Sequence, residues 1–573
     1  MRGAPHPDVA PPAPASPGPE ALTAVNVDRL GKTFHIPQQR YTTVRQRLVD
    51  RFRPEPPETL RALDDVSFEI RRGEFFGVAG RNGSGKSTLL RCVAGIYDYE
   101  EGQVEVAGRL APFVELGVDL KPDLSARDNV ILNATMLGLT RSQARERLDR
   151  IINFADLDGY TEMKLRNFSS GMKVRLAFAV AIEVDADVLL VDEVLAVGDA
   201  SFQRRCFETF ERLKGEGRTV VLVTHDMDAL VRHCDRVLLL EAGRVVDVGE
   251  PERIAARYQD LSRLSSPPHE DRPDLPSSHA TPGAEHTGAP SSHGETSLNP
   301  AMVTHRPNAV GDDLRRLASV TTTLAVTELK LHYLDSALGY LWAVMRPMLL
   351  FLVLYSVFNN VAALGRGVEH YGIYLLSAVV LWTYFTETTG GSVTSLARNE
   401  GLLRKMRFPR LAIPLSISAK SMINLGANSL VVLVFVFASG IEPRWSWLEL
   451  PALAALLAVL ATGTGMLLSA AYIRYRDTSQ VWALAQQLLF FGSPIIYTAG
   501  RYPEEVQHVL SASPIAVIFT QMRHALIDPS APTAAESVGG AIWLLIPFAV
   551  IVASLAGGLW FFSREAPRVA ERV

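Results

Sequence analysis

A chain of 573 residues is too long to bury itself around one core and implies two to four domains. Its formal net charge of −4 excludes the strongly basic balance of a nucleic-acid-binding protein, so no nucleic acid is expected as a partner. The three cysteines, Cys92, Cys206 and Cys234, lie in the first half without metal-ligand spacing; they read as reduced cytosolic thiols and exclude a disulfide framework.

Residues 1–22 are rich in Pro and Ala and have no apolar run after Arg2, which reads as a disordered tail rather than a signal peptide. Residues 23–260 then alternate short apolar runs with helical patterns. Phe76–Ala79, Val188–Val191 and Val220–Val223 have the composition of buried parallel strands, and Arg141–Phe154 has helical periodicity. This predicts a soluble α/β domain.

Gly80-Arg81-Asn82-Gly83-Ser84-Gly85-Lys86-Ser87-Thr88 follows one such strand and opens a helical run. Glycines let a backbone wrap phosphates with its N–H groups, and a helix N-terminus favours negative charge. This is a phosphate-binding loop in its required context, with Lys86 reaching β/γ-phosphates and Ser87 holding Mg²⁺. About a hundred residues on, the strand Val188–Val191 ends in Asp192 and Glu193. The expected roles are Mg²⁺ ligand for Asp192 and polarisation of the attacking water for Glu193.

Phe168-Ser169-Ser170-Gly171-Met172-Lys173, Ala196-Val197-Gly198-Asp199 and Val223-Thr224-His225-Asp226 complete an ordered set. Together with the loop and the acidic strand, they resemble the signature loop, D-loop and switch histidine of ABC-transporter ATPases. The resemblance covers roughly 23–260. It implies a P-loop ABC ATPase domain using ATP and Mg²⁺, with His225 supporting hydrolysis and Asp199 at the D-loop position. It also implies a homodimer in which Ser169 and Gly171 of one chain complete the ATP site over Lys86 of the other. The Q-loop position falls on Glu115, within Phe113-Val114-Glu115-Leu116-Gly117, where the family usually has glutamine; a glutamate there still contacts water or Mg²⁺ but adds charge. The adenine-stacking aromatic is Phe34 or Tyr41, and the basic stretch 40–60 is longer than a minimal ABC domain needs. The variant signature, Arg81-Asn82-Gly83, the run Val191–Ala200 and Phe202-Gln203 are similar to the subgroup that exports O-antigen, capsular polysaccharide and teichoic acid.

Residues 261–305 are mostly Ser, Pro, His, Gly and Glu and read as a flexible linker, with an r.m.s. span of about 35 Å. Residues 306–573 are expected to form an all-α membrane domain. A helix of mixed polarity over 313–335 is read as lying on the inner leaflet, with a solvated helix packed on the ATPase domain as the rival. Six spans follow near 339–361, 371–390, 411–438, 450–473, 478–498 and 541–562. Loop cations set the orientation. Arg398, Arg404, Lys405, Arg407, Arg410, Arg474, Arg476, Arg564, Arg568 and Arg572 stand on one side, against Arg366, Arg444, Arg501 and Arg523 on the other. The ATPase domain and both termini are therefore expected in the cytosol, with the chain multi-pass in a bacterial cytoplasmic (inner) membrane among its lipids. Glu387 and Lys420 are placed near the inner interface, as snorkelling groups or an interfacial pair. The aromatics of the first two spans read as an interfacial belt, with a sugar-stacking lining as the rival.

Leu338-Gly339-Tyr340-Leu341-Trp342 with Arg346-Pro347, Gly401–Arg410 and Ser493-Pro494-Ile495-Ile496-Tyr497 resemble the first span, coupling helix and fifth span of ABC-2-type polysaccharide export permeases. The semi-polar stretch 503–527 resembles their outer re-entrant segment. The resemblance implies two chains, twelve spans and a polysaccharide or lipid-linked glycan as cargo. A half-transporter for lipid or small hydrophobic molecules is the alternative.

Overall fold

The computed structural model describes residues 22–36, 58–113, 120–192, 200–264, 302–304, 311, 313–333, 338–361, 368–498 and 512–572. Its first half is built on two sheets. One is six-stranded, in the order β5(Leu110–Phe113), β6(Val188–Asp192), β7(Thr219–Val223), β3(Phe75–Ala79), β8(Arg236–Glu241), β9(Arg244–Gly249). The first five of these run parallel and β9 is antiparallel to β8. The other is an antiparallel sheet of β10(Met302–Thr304), β4(Glu101–Ala107), β1(Thr23–Ile36) and β2(Glu58–Arg71).

β3, β6 and β7 are buried on both faces, which is why they read as unbroken apolar runs. Side chains alternate along them. Phe76, Val78, Val188, Leu190, Val221 and Val223 share a core with the antiparallel sheet and helix α1(Lys86–Val93). Phe75, Leu189, Val191, Val220 and Leu222 face the opposite core, built with helices α2(Ala126–Met136), α3(Arg141–Glu146), α4(Leu148–Phe154), α5(Ser170–Ile182) and α6(Ala200–Gly215). Local caps fix where these helices start. Ser125 accepts from the Asp128 amide, Thr140 and Gln143 form a reciprocal capping box, and Ser169 accepts from the Met172 amide. Helices α7(Met227–His233) and α8(Pro251–Leu264) close the domain.

The stretch 261–305, expected as a linker, holds structure at both of its ends: α8 runs to Leu264, and β10 adds an edge strand to the antiparallel sheet by pairing Met302–Thr304 with Glu105–Ala107 of β4. Three residues leave too faint a periodic signal to be read from sequence.

The second half is helical: α9(Leu314–Tyr333), α10(Leu341–Tyr355), α11(Tyr371–Val393), α12(Glu400–Lys405), α13(Ala412–Ala438), α14(Glu449–Arg474), α15(Thr478–Gly492), α16(Pro514–Leu526), α17(Leu545–Glu565) and α18(Val569–Arg572). Among the described residues four helical stretches are long and apolar enough to cross a membrane: Leu341–Asn359, Ala412–Ala438, Trp445–Arg474 and Ala541–Arg568. The expected spans at 371–390 and 478–498 correspond to α11 and α15, which fall short of that standard. The second half of α11 carries Thr383, Thr386, Glu387, Thr388 and Thr389, and α15 stops after 15 residues, before Ser493-Pro494. Helices α14 and α17 cross at glycines. A Cβ on Gly558 would stand 2.4 Å from the Gly463 carbonyl oxygen, so only glycine lets these backbones approach.

Three apolar cores result. The one on the helical side of the six-stranded sheet does not stop at the ATPase half. It continues through Val320 and Leu324 of α9, Leu402 and Leu403 of α12, Met406 and Phe408 after it, and Phe562, Ala566 and Val569 near the C-terminus.

Candidate functional site

The phosphate-binding loop leaves β3 at Gly80 and enters α1 at Lys86. Gly80, Gly83 and Gly85 hold φ of 154°, 82° and 104°, a region that side chains rarely adopt. A Cβ at Gly80 would stand 2.3 Å from the Leu240 carbonyl oxygen, whereas at Gly83 it would meet nothing within 4 Å. The loop is thus packed against the protein on one side and open on the other. Helix α1 has no side-chain cap, so its N-terminal dipole faces that open side. Lys86 is buried and donates to the Gly80 and Arg81 carbonyls at 2.7 and 2.9 Å. The buried Ser84 Oγ has no hydrogen-bond partner among the described residues. Asn82, Gly83 and Ser87 are exposed, and Thr88 is half-buried. An orphaned hydroxyl, an uncapped helix end and a lysine folded back on its own loop together form a cradle that fits a polyphosphate.

Parallel pairing gathers the other motifs at the same edge. Val78 of β3 and Asp192 of β6 both pair with Val223 of β7, so the phosphate loop, Asp192 and the turn at His225 leave adjacent strand ends side by side. Asp192 is buried there and His225 is exposed. Asp226 caps α7 by accepting from the Asp228 and Ala229 amides at 3.0 and 3.2 Å, which fixes the turn that carries His225. Glu193, Asp199 and Glu115 lie outside the described residues, as does Tyr41.

The signature loop forms the N-terminus of α5. Ser169 and Ser170 are exposed, and a Cβ on Gly171 would meet only the Ser169 hydroxyl at 4.0 Å. Within one chain Ser169 and Gly171 are therefore open, presenting a helix N-terminus outward. Phe34 is half-buried, with the Tyr97 ring edge-on at 5.7 Å and the Lys32 ammonium 5.2 Å from its centroid. Burial pushes the Cys206 and Cys234 thiols up to about 12, so both are inert at neutral pH.

The side-chain partners not read from the sequence lie where the two halves meet. Arg410 is buried, and its guanidinium donates to the Ile96 carbonyl of the ATPase half at 3.0 Å and to the Ala566 carbonyl at the end of α17. Arg316 of α9 donates to Met136 at the end of α2, at 3.2 Å, and to Arg407 of the coupling segment at 2.9 Å. Lys330 pairs with Asp128 of α2 at 2.6 Å. Helix α9, expected on the leaflet surface, is thus seated on the ATPase helices by one face and on α13 by another. Its cations Arg316 and Lys330 bond to carbonyls and to a carboxylate, which a composition reading does not distinguish from solvated positions. Arg410 was legible as an orientation-setting cation and as the end of the coupling segment, but not by its carbonyl partners.

Within the membrane half, Asn424 donates to the Glu387 carboxylate and to the Tyr333 hydroxyl, both at 3.1 Å. The partner of Glu387 is therefore an amide. Trp382, Tyr384 and Phe385 are buried, and the Trp382 ring lies 5.6 Å from Phe385 and 5.7 Å from Phe490. These three pack helix on helix within the chain. The Ser493–Tyr497 segment is tied to α11: the Tyr371 hydroxyl donates to the Ile496 carbonyl at 2.7 Å, and that of Tyr374 donates to Pro494 and Tyr497.

Comparison with known proteins agrees with this arrangement. Residues 63–196 match the ABC transporter family and residues 320–527 the ABC-2 type transporter family. The chain is 43% identical over 198 residues to an O-antigen export system ATP-binding protein, RfbB, of Klebsiella pneumoniae, covering 35% of this chain and 80% of that one. The chain belongs to the ABC transporters. It carries an ABC-type ATPase domain followed by an ABC-2 type transporter domain. This ABC transporter is also 38% identical to RfbB of Myxococcus xanthus, over 43% of its own length and 58% of that protein's. It is 33% identical to the teichoic acids export ATP-binding protein TagH of Bacillus anthracis, over 39% and 41%. It thus spans about half the length of those two relatives. A solved dimeric ATP-binding cassette in a post-hydrolysis state with ADP and Pi covers 40% of this chain and 98% of its own, at 23% identity and a TM-score of 0.33.

Proposed function

We propose that two copies of this chain form an ATP-driven exporter of a polysaccharide or lipid-linked glycan across the bacterial cytoplasmic membrane. The carrying observation is the joint one: an ATPase half 43% identical to an O-antigen export ATP-binding protein, joined on one chain to an ABC-2 domain. In this reading the homodimer has twelve spans, with α11 and α15 completing six per chain, and both termini and the ATPase domain lie in the cytosol.

Each ATP would sit on the loop Gly80–Thr88 of one protomer. The amides of Asn82–Gly85 and the start of α1 bind its phosphates, and Lys86 leaves its two carbonyls for the β/γ-phosphates. Ser87 and Asp192, with Glu115 as a third contact, would hold Mg²⁺, whose charge offsets that of the phosphate oxygens. Phe34 is the candidate base-stacking ring. The outward Ser169 and Gly171 of the partner protomer close the site, because their helix N-terminus has no phosphate of its own to meet within one chain. Glu193 orients and deprotonates the attacking water, His225 supports it, and Asp199 joins the two sites. Closure would pass through the segment Gly401–Arg410, which is buried against the ATPase helices, to the membrane helices.

The test is depletion of the protein in cells, with rescue by wild type or by Glu193→Gln. Lipid-linked polymer is expected to build up in the cytoplasmic membrane and to be cleared only by wild type. Unchanged surface glycan with no such intermediate would overturn the glycan assignment in favour of export of lipid or small hydrophobic molecules. Purified Glu193→Gln should still bind ATP but hydrolyse it about 10²–10⁴-fold more slowly.

A further inference from the structure

A cavity of about 280 Å³ lies between the ATPase helices and α9, away from the nucleotide cradle. Its charged lining comprises Arg127, Arg141, Arg145 and Lys330, against the single acid Asp128. That acid is already engaged by Lys330 at 2.6 Å. Arg127 turns to Glu162 at 2.5 Å, a residue that is not part of the lining. Arg141 and Arg145 are left beside each other. Crowding of this kind costs energy without a counter-charge. Burial, and then the charge of Arg145, outweigh the nearby Asp128 carboxylate and hold the Arg141 guanidinium below its ordinary range. Two polar atoms are buried without a hydrogen-bond partner among the described residues: Nε of Arg141, and Oγ1 of Thr323, whose residue is only 3% exposed. Buried donors are ordinarily paired. Here both line one cavity, which has room for a small polyanion.

We propose that this cavity is a second anion site, which takes a phosphate or diphosphate group between Arg141, Arg145 and Thr323. The group would neutralise the excess charge and accept the orphaned hydrogen bonds, charge-assisted in the case of the guanidinium. Its position matters for the transporter. Lys330 sits near the end of α9, eleven residues before the first span begins at Leu341. A bound anion would therefore clamp α9 to α2 and α3 at the level where that span enters the membrane. Two sources supply this chemistry at that place, the headgroup of an anionic phospholipid and free phosphate or pyrophosphate. The inference does not rest on the cargo proposed above.

The experiment uses the full chain in nanodiscs with Mg-ADP at saturation, so that the nucleotide cradle is blocked. In phosphatidylcholine discs, calorimetric titration with inorganic pyrophosphate should show saturable binding if the source is soluble. If it is lipid, pyrophosphate should not bind, and phosphatidylglycerol in the discs should raise the unfolding midpoint saturably. Under either source, Arg141→Gln combined with Arg145→Gln should weaken the effect at least about tenfold. The near-isosteric Thr323→Val, which tests the site without altering charge or packing volume, should weaken it about threefold or more. Arg212→Gln, on the exposed face of α6, should change nothing. If neither anion acts on wild type, or if the cavity variants titrate like wild type, the proposal is overturned.

Discussion

The nucleotide edge and the joint between the two halves are built in opposite ways. At the edge, Gly80 to Thr88 are consecutive residues, and Asp192 and His225 are brought beside them by strand ends whose pairing follows from the fold. At the joint, Arg410 reaches a carbonyl 314 positions earlier and another 156 positions later, and Arg316 reaches across 180 and 91 positions. The edge needs a local backbone shape, so its residues stand together in sequence. The joint needs two folded surfaces to meet, so its residues are scattered and each looks ordinary where it stands. Chemistry is therefore concentrated in motifs, while transmission is spread over contacts.

The largest expected effect lies at the edge. Lys86→Ala removes a buried ammonium from the phosphate cradle, and ATP turnover of the purified chain should fall by about 10²–10³-fold. Phosphate release checks this. Turnover within a few-fold of wild type would mean that the cradle does not work through its lysine, and the contrast with the joint would collapse. Second is Phe408→Ala at the joint. Phe408 is 5% exposed within the core shared by the two halves. Its truncation should cost about 3 kcal/mol. Scanning calorimetry should show the loss as separation of one transition into two, since what is weakened is the attachment of one half to the other.

Arg410→Ala comes third and gives the sharper test. The guanidinium is buried, and both of its carbonyl acceptors would lose a charged donor, for about 2 kcal/mol in all. No phosphate contact is removed. ATP turnover should therefore fall less than about threefold while export, read as surface glycan in complemented cells, falls at least about tenfold. Equal losses in the two readouts would make Arg410 a fold-stabilising residue with no separate part in transmission.

How much could be read beforehand follows the same division. The alternation of apolar strands and helices, the cradle and the acidic strand were legible because each is a short-range pattern with a physical cause: buried strands are continuously apolar, and phosphate loops need glycine at positive φ. Tyr384 and Trp382 were legible as aromatic but not as buried packing, since hydropathy does not say which face of α11 meets another helix. The strand Met302–Thr304 was invisible because its reason for being extended is the free edge of β4, about 200 residues away in the chain. Arg410 was read as an inner-side cation at the end of the coupling segment, without its buried carbonyl partner, and the pairing of Lys330 with Asp128 had no sequence signal. Sequence patterns carry secondary structure and local chemistry well. They carry docking poorly, because docking is chosen by shape and charge on both surfaces at once.

The smallest expected effect belongs to neither region, and for that reason it serves as the reference. Asp528 follows α16, beside the α13–α14 turn and so at the end of the membrane half away from the joint: Arg444 of that turn donates to the neighbouring Ile527 carbonyl. Its buried carboxylate accepts from the Ser530 amide at 2.9 Å, the Ser530 hydroxyl at 2.5 Å and Arg523 at 3.2 Å. Burial alone would raise its pKa, but the bonds from Ser530 and the Arg523 charge outweigh it and hold the carboxyl below its ordinary range. A depressed carboxylate stabilises the fold at pH values above its unfolded value of about 3.9, and that contribution fades as pH falls through the lower folded value. Asp528→Asn should therefore lower the thermal midpoint by a degree or two at pH 7, for a loss of about 1 kcal/mol. The gap to wild type should narrow below pH of about 4, where the wild-type carboxylate itself takes up a proton. ATP turnover and the ratio of export to turnover should both stay at wild-type levels, which separates a plain loss of stability from the uncoupling expected of Arg410→Ala. A gap that stayed constant down to pH 3 would show that the carboxylate charge is not what holds this turn. A change in the export ratio would show that transmission extends through the whole membrane half, and the joint would lose its special standing.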